Sequence, residues 1–307
     1  MSDKTFSYGG QAVLEGVMMR GRRLASVAVR RPDGSLALKH IPLPPSARAA
    51  WMHWPIIRGL VGLRSAFLVG KEALDFSAAV TSEEHEEDLS PVVQWIILVV
   101  ALTVGIGLFV VGPSLIANYA AQRGAPVLVR EIIEGLINLT LVILYIYAIS
   151  RLSDIQRVFG YHGAEHKVIN AYEAGVPLTV EAVRPFSRIH PRCGTSFLVI
   201  AAIIGFVIFL AVSGLPLLPR IGARIVLIPL VAAVAFEVMR FAAAHYHRPW
   251  VSRLLMPALS TQYLTTREPD DAMLATAIAA LLPVLAADGA PVNETLETEQ
   301  PLAQVVY

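Results

Sequence analysis

The chain has 307 residues, 55% of them hydrophobic and 16% charged, with a mean hydropathy of +0.59. Soluble domains carry about 25% charged residues, so this composition excludes an ordinary soluble globule and points to a bilayer. A net charge of +1 gives no bulk attraction to nucleic acid, and a single cysteine excludes an internal disulfide.

Residues 1–10 are polar and lack the apolar core of a secretory signal, so insertion is expected from internal spans. Residues 1–50 are expected to form a small β-rich element. Arg23–Arg30 and Ser35–Lys39 read as two strands around a Pro32-Asp33-Gly34 turn. Before them, Gly9–Arg20 is an apolar stretch whose glycines mark tight backbone approaches. No Gly-Lys-Ser/Thr follows, so it is not a phosphate loop.

Residues 51–80 are apolar but carry Arg58, Arg64 and Lys71, with Trp51 and Trp54 at the start. That pattern fits either a helix at the bilayer interface or a helix packed on the N-terminal element. An acidic linker is expected at 81–90, with Glu83, Glu84, Glu86, Glu87 and Asp88.

Four apolar runs follow, at 91–117, 132–150, 196–218 and 225–245. Each is long enough for the ~20 residues that a bilayer requires. They predict a mainly α, polytopic membrane protein of about four transmembrane helices, with a membrane domain over 91–250. Arg151, Arg157, Lys167, Arg184, Arg188 and Arg192 lie between the second and third runs. The positive-inside rule therefore places this segment, and both termini, in the cytoplasm. Glu237 sits inside the fourth run, where a carboxylate is costly unless paired or wet, and Arg240 at i+3 is a ready partner. Residues 251–287 are expected to be a cytoplasmic helical region, with an amphipathic helix from Asp270 to Ala287. A disordered acidic tail is expected over 288–307.

The chemistry concentrates in the segment 151–195. Tyr161–Ala174 reads as a helix closed by Gly175 and Pro177. His162 and His166 are spaced i, i+4, which puts both imidazoles on one face about a turn apart. With Glu165 they spell His-x-x-Glu-His, the pattern of inverted zincins, in which the carboxylate is the general base. His190 and Cys193 follow in a Pro-containing turn. An imidazole and a thiolate there would complete a His₃Cys set that Zn²⁺ accepts. Four protein ligands would make the ion structural, whereas three would leave room for water. Glu173, about 10 Å farther along the helix axis, is a weaker candidate, as are Glu237, Arg240, His245 and His247. No nucleophile elbow, dinucleotide fingerprint or Walker loop is present.

Four stretches together carry a family resemblance. They are Gly9–Arg20, Tyr161–Lys167, His190–Phe197 and Thr265–Pro269. With them the chain resembles the YqhQ family, a bacterial group with a domain of unknown function, over about residues 6–285. The resemblance implies a bacterial inner-membrane location and a metal-dependent enzyme, and it supplies no substrate. The expectation is a zinc site at the cytoplasmic face performing hydrolysis. A membrane scaffold or accessory protein with a structural metal is the alternative, and a transporter using Glu237 is a weaker one. The lipid bilayer is the one partner the composition implies.

Overall fold

The computed structural model describes residues 6–44, 54–82 and 90–292. Trp51, the acidic cluster Glu83–Asp88 and the tail from 293 onward lie outside the described residues.

The chain opens with an antiparallel sheet of four strands in sequential order: β1 (Gly9–Val13), β2 (Gly16–Arg20), β3 (Leu24–Arg30) and β4 (Leu36–Pro42). β3 and β4 follow the expected strands, joined where Gly34 takes a φ of 84°. β1 and β2 go beyond the sequence reading. The glycine-rich stretch is a hairpin with Val13 opposite Gly16, and Glu15 in its turn has a φ of 49°. Gly16 is required by space, because a Cβ there would run into the Ala28 carbonyl of β3.

Side-chain alternation gives the sheet two buried faces. Val17, Met19, Ala28 and Leu38 pack against α5 (Ser153–Glu173) and α11 (Asp271–Asp288). Val13, Met18, Ala25, Val27, Val29 and Ile41 pack against Val69 and Ala73 of α1 (Ile57–Thr81). The helix at 51–80 therefore packs on the N-terminal element. Its first turns also lean on α8 (Leu217–Ala244), with Gly59 and Gly62 facing Ala233 and Phe236.

Among the described residues, five helices are long and apolar enough to cross a membrane. The first runs from Val92 to Gln122 and is built from α2 (Pro91–Ile106), a π-helical turn (Gly107–Val111) and α3 (Gly112–Gln122). The others are α4 (Val127–Ile149), α7 (Gly194–Phe209, prolonged to Val212), α8 and α11. α11 differs in kind, since half of its apolar window is buried inside the protein and none of the first helix's is. The amphipathic pattern expected for α11 is absent, because the sheet and α5 enclose most of its circumference. α4 and α8 also start earlier than hydropathy suggests. Arg130, Arg220 and Arg224, which fall outside the apolar runs, lie in helices near Glu131 and Glu134.

Short helices complete the chain: α6 (Val180–Val183), α9 (Pro249–Ser260) and α10 (Gln262–Thr265). α9 buries Val251, Leu255 and Leu259 against α7 and α8.

Candidate metal centre

α5 starts at Ser153, eight residues before the expected start, and its second half is almost entirely buried. Two glycines allow close packing. A Cβ on Gly163 would collide with the Arg267 carbonyl, and one on Gly160 with the Met273 sulfur. Gly10 of β1 lies as tightly against the Glu165 side chain. The string Tyr161–Lys167 is therefore clamped between the sheet and the strap that follows α10.

Within it, the two imidazoles are oriented by backbone carbonyls. His162 Nδ1 lies 2.8 Å from the Thr265 oxygen, and His166 Nδ1 lies 2.6 Å from the Arg188 oxygen. A carbonyl only accepts, so each Nδ1 carries the proton and each Nε2 presents a lone pair. Cys193 caps the N-terminus of α7, its sulfur 3.4 Å from the Thr195 N–H and 3.3 Å from His162 Nε2. Ligand atoms of His162, His166 and Cys193 all lie within 4.8 Å of one another. A tetrahedral zinc with N and S ligands sets them about 3.5 Å apart, so small side-chain adjustments bring the three onto one ion. The donor set fits zinc.

Glu165 is 4% exposed, with Oε2 3.4 Å from His166 Nε2. The fourth expected ligand, His190, stands next to the trio rather than in it. Its ring centre is 5.6 Å from that of His166, and its buried Nε2 has no hydrogen-bond partner. Gln262 pins its backbone, accepting from His190 N–H at 2.9 Å and donating to His190 O at 2.8 Å. Glu173 turns away to Arg192 and to His190, at 3.7 Å from the latter. Burial pushes its carboxyl up, but His190 and Arg192 beside it outweigh this and hold it below the usual range.

The remaining candidates lie elsewhere. Glu237 forms a bidentate pair with Arg58 of α1, at 2.6 Å for the Nε contact, and not with Arg240. The partner comes from 179 residues away, which local spacing has no means to show. His245 bonds back to the Phe241 carbonyl, and neither it nor His247 lines the cleft at the centre.

That cleft has a volume of about 470 Å³ and opens between the centre, the β1 edge and the α1–α8 contact. Gly10, Arg20 and Phe236 line it opposite the histidines. Sequence reasoning missed Gln262, Arg20 and the two orienting carbonyls. Of these only Gln262 leaves a trace, as one polar residue that is fully buried in the fold.

A relative in Bacillus subtilis (strain 168), described as "Uncharacterized protein YqhQ", is 36% identical over 289 residues, covering 89% of this chain and 90% of that one. No solved structure matches the fold. The model of the family described as "Protein of unknown function (DUF1385)" matches residues 54–287, and this includes His162, Glu165, His166, His190 and Cys193 but not the β1–β2 side of the cleft. The chain belongs to this family, the DUF1385 or YqhQ family.

Proposed function

We propose that this is a four-span protein of the bacterial inner membrane, with a zinc-dependent hydrolytic centre at its cytoplasmic face. The observation that carries the reading is the convergence of His162 Nε2, His166 Nε2 and Cys193 Sγ, with both Nδ1 atoms already committed to carbonyls. Three protein ligands leave one position open. Zinc bound there would act as a Lewis acid and lower the pKa of water at that position. Glu165, buried beside His166, is placed to take the proton from that water and return it to a leaving group. Arg20, across the cleft, offers positive charge to a substrate carbonyl or phosphoryl oxygen.

The span count is supported by the shared core. The sheet, α5 and α11 pack together, so they lie on one side of the membrane. An even number of crossings must separate each from the next. The helix 92–122 and α4 form one pair, and α7 and α8 the other. α11 belongs to the core and is not counted as a span. The arginines of the α5–α7 segment favour the cytoplasm for that side.

One observation favours a second reading, a structural ion in a scaffold protein. His190 is buried with its Nε2 free of hydrogen bonds among the described residues and 3.7 Å from Glu173, and a shift toward the trio would close the coordination sphere. Zinc analysis with X-ray absorption on purified protein separates the two. About one zinc per chain, bound by two nitrogens, one sulfur and one oxygen at about 2.0–2.3 Å, is expected for a hydrolase. Three nitrogens and one sulfur would select the structural ion. Zinc content equal in wild type, His162→Ala and Cys193→Ala would defeat both. Glu165→Gln is expected to retain zinc and to lower hydrolysis about 10²–10⁴-fold on any peptide, ester or phosphodiester that the wild type cleaves in a substrate panel.

A further inference from the structure

A second concentration of charge lies at the opposite end of the helices. Arg130, Glu131 and Glu134 occupy the first turns of α4, and Arg220 and Arg224 the first turns of α8. All five are buried, as is Ser114 of α3. Glu131 accepts from Arg130 at 3.0 Å and from Arg224 at 2.5 Å, while Glu134 pairs with Arg224 and accepts from Ser114. Arg220 is 1% exposed, yet it enters no ion pair among the described residues, and its Nε and Nη2 have no partner. Three guanidinium groups against two carboxylates leave a buried charge of +1. Among apolar helices such a charge is costly until an anion meets it.

A lateral groove of about 260 Å³ leads to this cluster between α4, α7 and α8. Its walls are apolar, with Phe206, Phe209, Leu198 and Ile228. Its inner end carries Glu131, Glu134, Asn138 and Arg224. Three atoms of that end are buried without partners: Arg224 Nε, a donor, and Glu134 Oε2 and Asn138 Oδ1, both acceptors. The occupant must therefore combine an anionic oxygen, a hydrogen-bond donor beside it, and an apolar chain. Its net charge should be −1.

We propose that the groove binds one phospholipid with a phosphoglycerol head. The head-group phosphate accepts from Arg224 and offsets the excess charge that Arg220 brings to the cluster, its glycerol hydroxyls donate to Glu134 and Asn138, and an acyl chain lies along Phe206 and Phe209. A phosphoethanolamine lipid offers the donor but is neutral overall and leaves the excess charge standing. Phosphatidic acid offers the charge, but its monoanion has a single P–OH donor for two acceptors.

The test is native mass spectrometry of the full chain with phosphatidylglycerol, phosphatidylethanolamine and phosphatidic acid, alongside thermal unfolding with each lipid and with inorganic phosphate. One phosphatidylglycerol per chain is expected to survive detergent washing, with at least ten-fold preference over phosphatidylethanolamine. Arg220→Gln is expected to reduce its retention at least ten-fold. Asn138→Leu leaves the ion cluster intact, and is expected to bring phosphatidylglycerol down to the level of phosphatidic acid. Equal retention of all three lipids by the wild type, retention unchanged in both variants, or protection by inorganic phosphate equal to that by phosphatidylglycerol would each overturn the proposal. Zinc content is expected to stay the same in both variants, so this result stands apart from the fate of the centre.

Discussion

His162 and His166 share a tautomer because each gives its Nδ1 proton to a main-chain oxygen, and those oxygens come from distant segments. The i, i+4 spacing is visible in the sequence; the orientation is not, because Thr265 stands 103 residues from His162. The same holds for His190. Spacing groups it with Cys193, whereas Gln262, 72 residues away, fixes where it stands. Gly163 shows how little slack the arrangement has. Its missing side chain lets the Arg267 carbonyl approach α5, and that contact holds the strap carrying Thr265. Overpacking of this kind costs about 1–3 kcal/mol. Gly163→Ala is accordingly expected to lower the unfolding midpoint by several degrees and to weaken zinc retention, with both read on one purified sample.

Among the elements, the sheet and α5 are joined at an ion pair that periodicity does not reveal. Arg157 grips Glu15 in the β1–β2 turn, and the Tyr161 hydroxyl reaches the same carboxylate at 3.3 Å. The Arg157 hydrogen bonds outweigh desolvation and hold the Glu15 carboxyl below its ordinary range. A carboxylate with a lowered folded pKa stabilises the fold at pH above its unfolded value of about 4.3. That contribution fades as pH falls through the folded value. Arg157 is half exposed, so the effect is no more than about 1 kcal/mol. Unfolding midpoints of wild type and Glu15→Gln are expected to differ at pH 7 and to converge below about pH 4. β3, β4 and the apolar spans were legible because each follows its own period or length. The β1–β2 hairpin was not, since its short glycine-rich strands take their reason from neighbours such as Ala28 and Glu165. The helix α11 was legible as a helix but not as an apolar one: the sheet and α5 enclose it, so it lacks the amphipathic pattern expected of it.

At the scale of the molecule, hydropathy alone gives four apolar runs, and the structure adds a fifth helix of the same apparent kind. What separates them is that α11 shares its core with the sheet and α5. The resulting topology is open to direct labelling. In a Cys193→Ser background, Gln122→Cys at the C-terminal end of α3 is expected to react with a membrane-impermeant maleimide added to intact cells. Glu181→Cys, in α6, is expected to react only after lysis. Reaction of both from outside, or a reversal of the two, would refute the arrangement.

The same shared core constrains how the protein can be made. Arg30 of β3 donates to the Ala272 carbonyl and to Thr276, which follows it by 246 residues. At about 5–20 residues per second, a ribosome needs about 12–50 s to travel that distance. During this time the intervening apolar helices are made, while Val17, Met19 and Ala28 wait without the helix that covers them. The sheet is thus the first part of this core to emerge, and α11 the last to close it. A stop codon placed before Asp270 is expected to leave the inserted helices in the membrane with a sheet open to proteolysis.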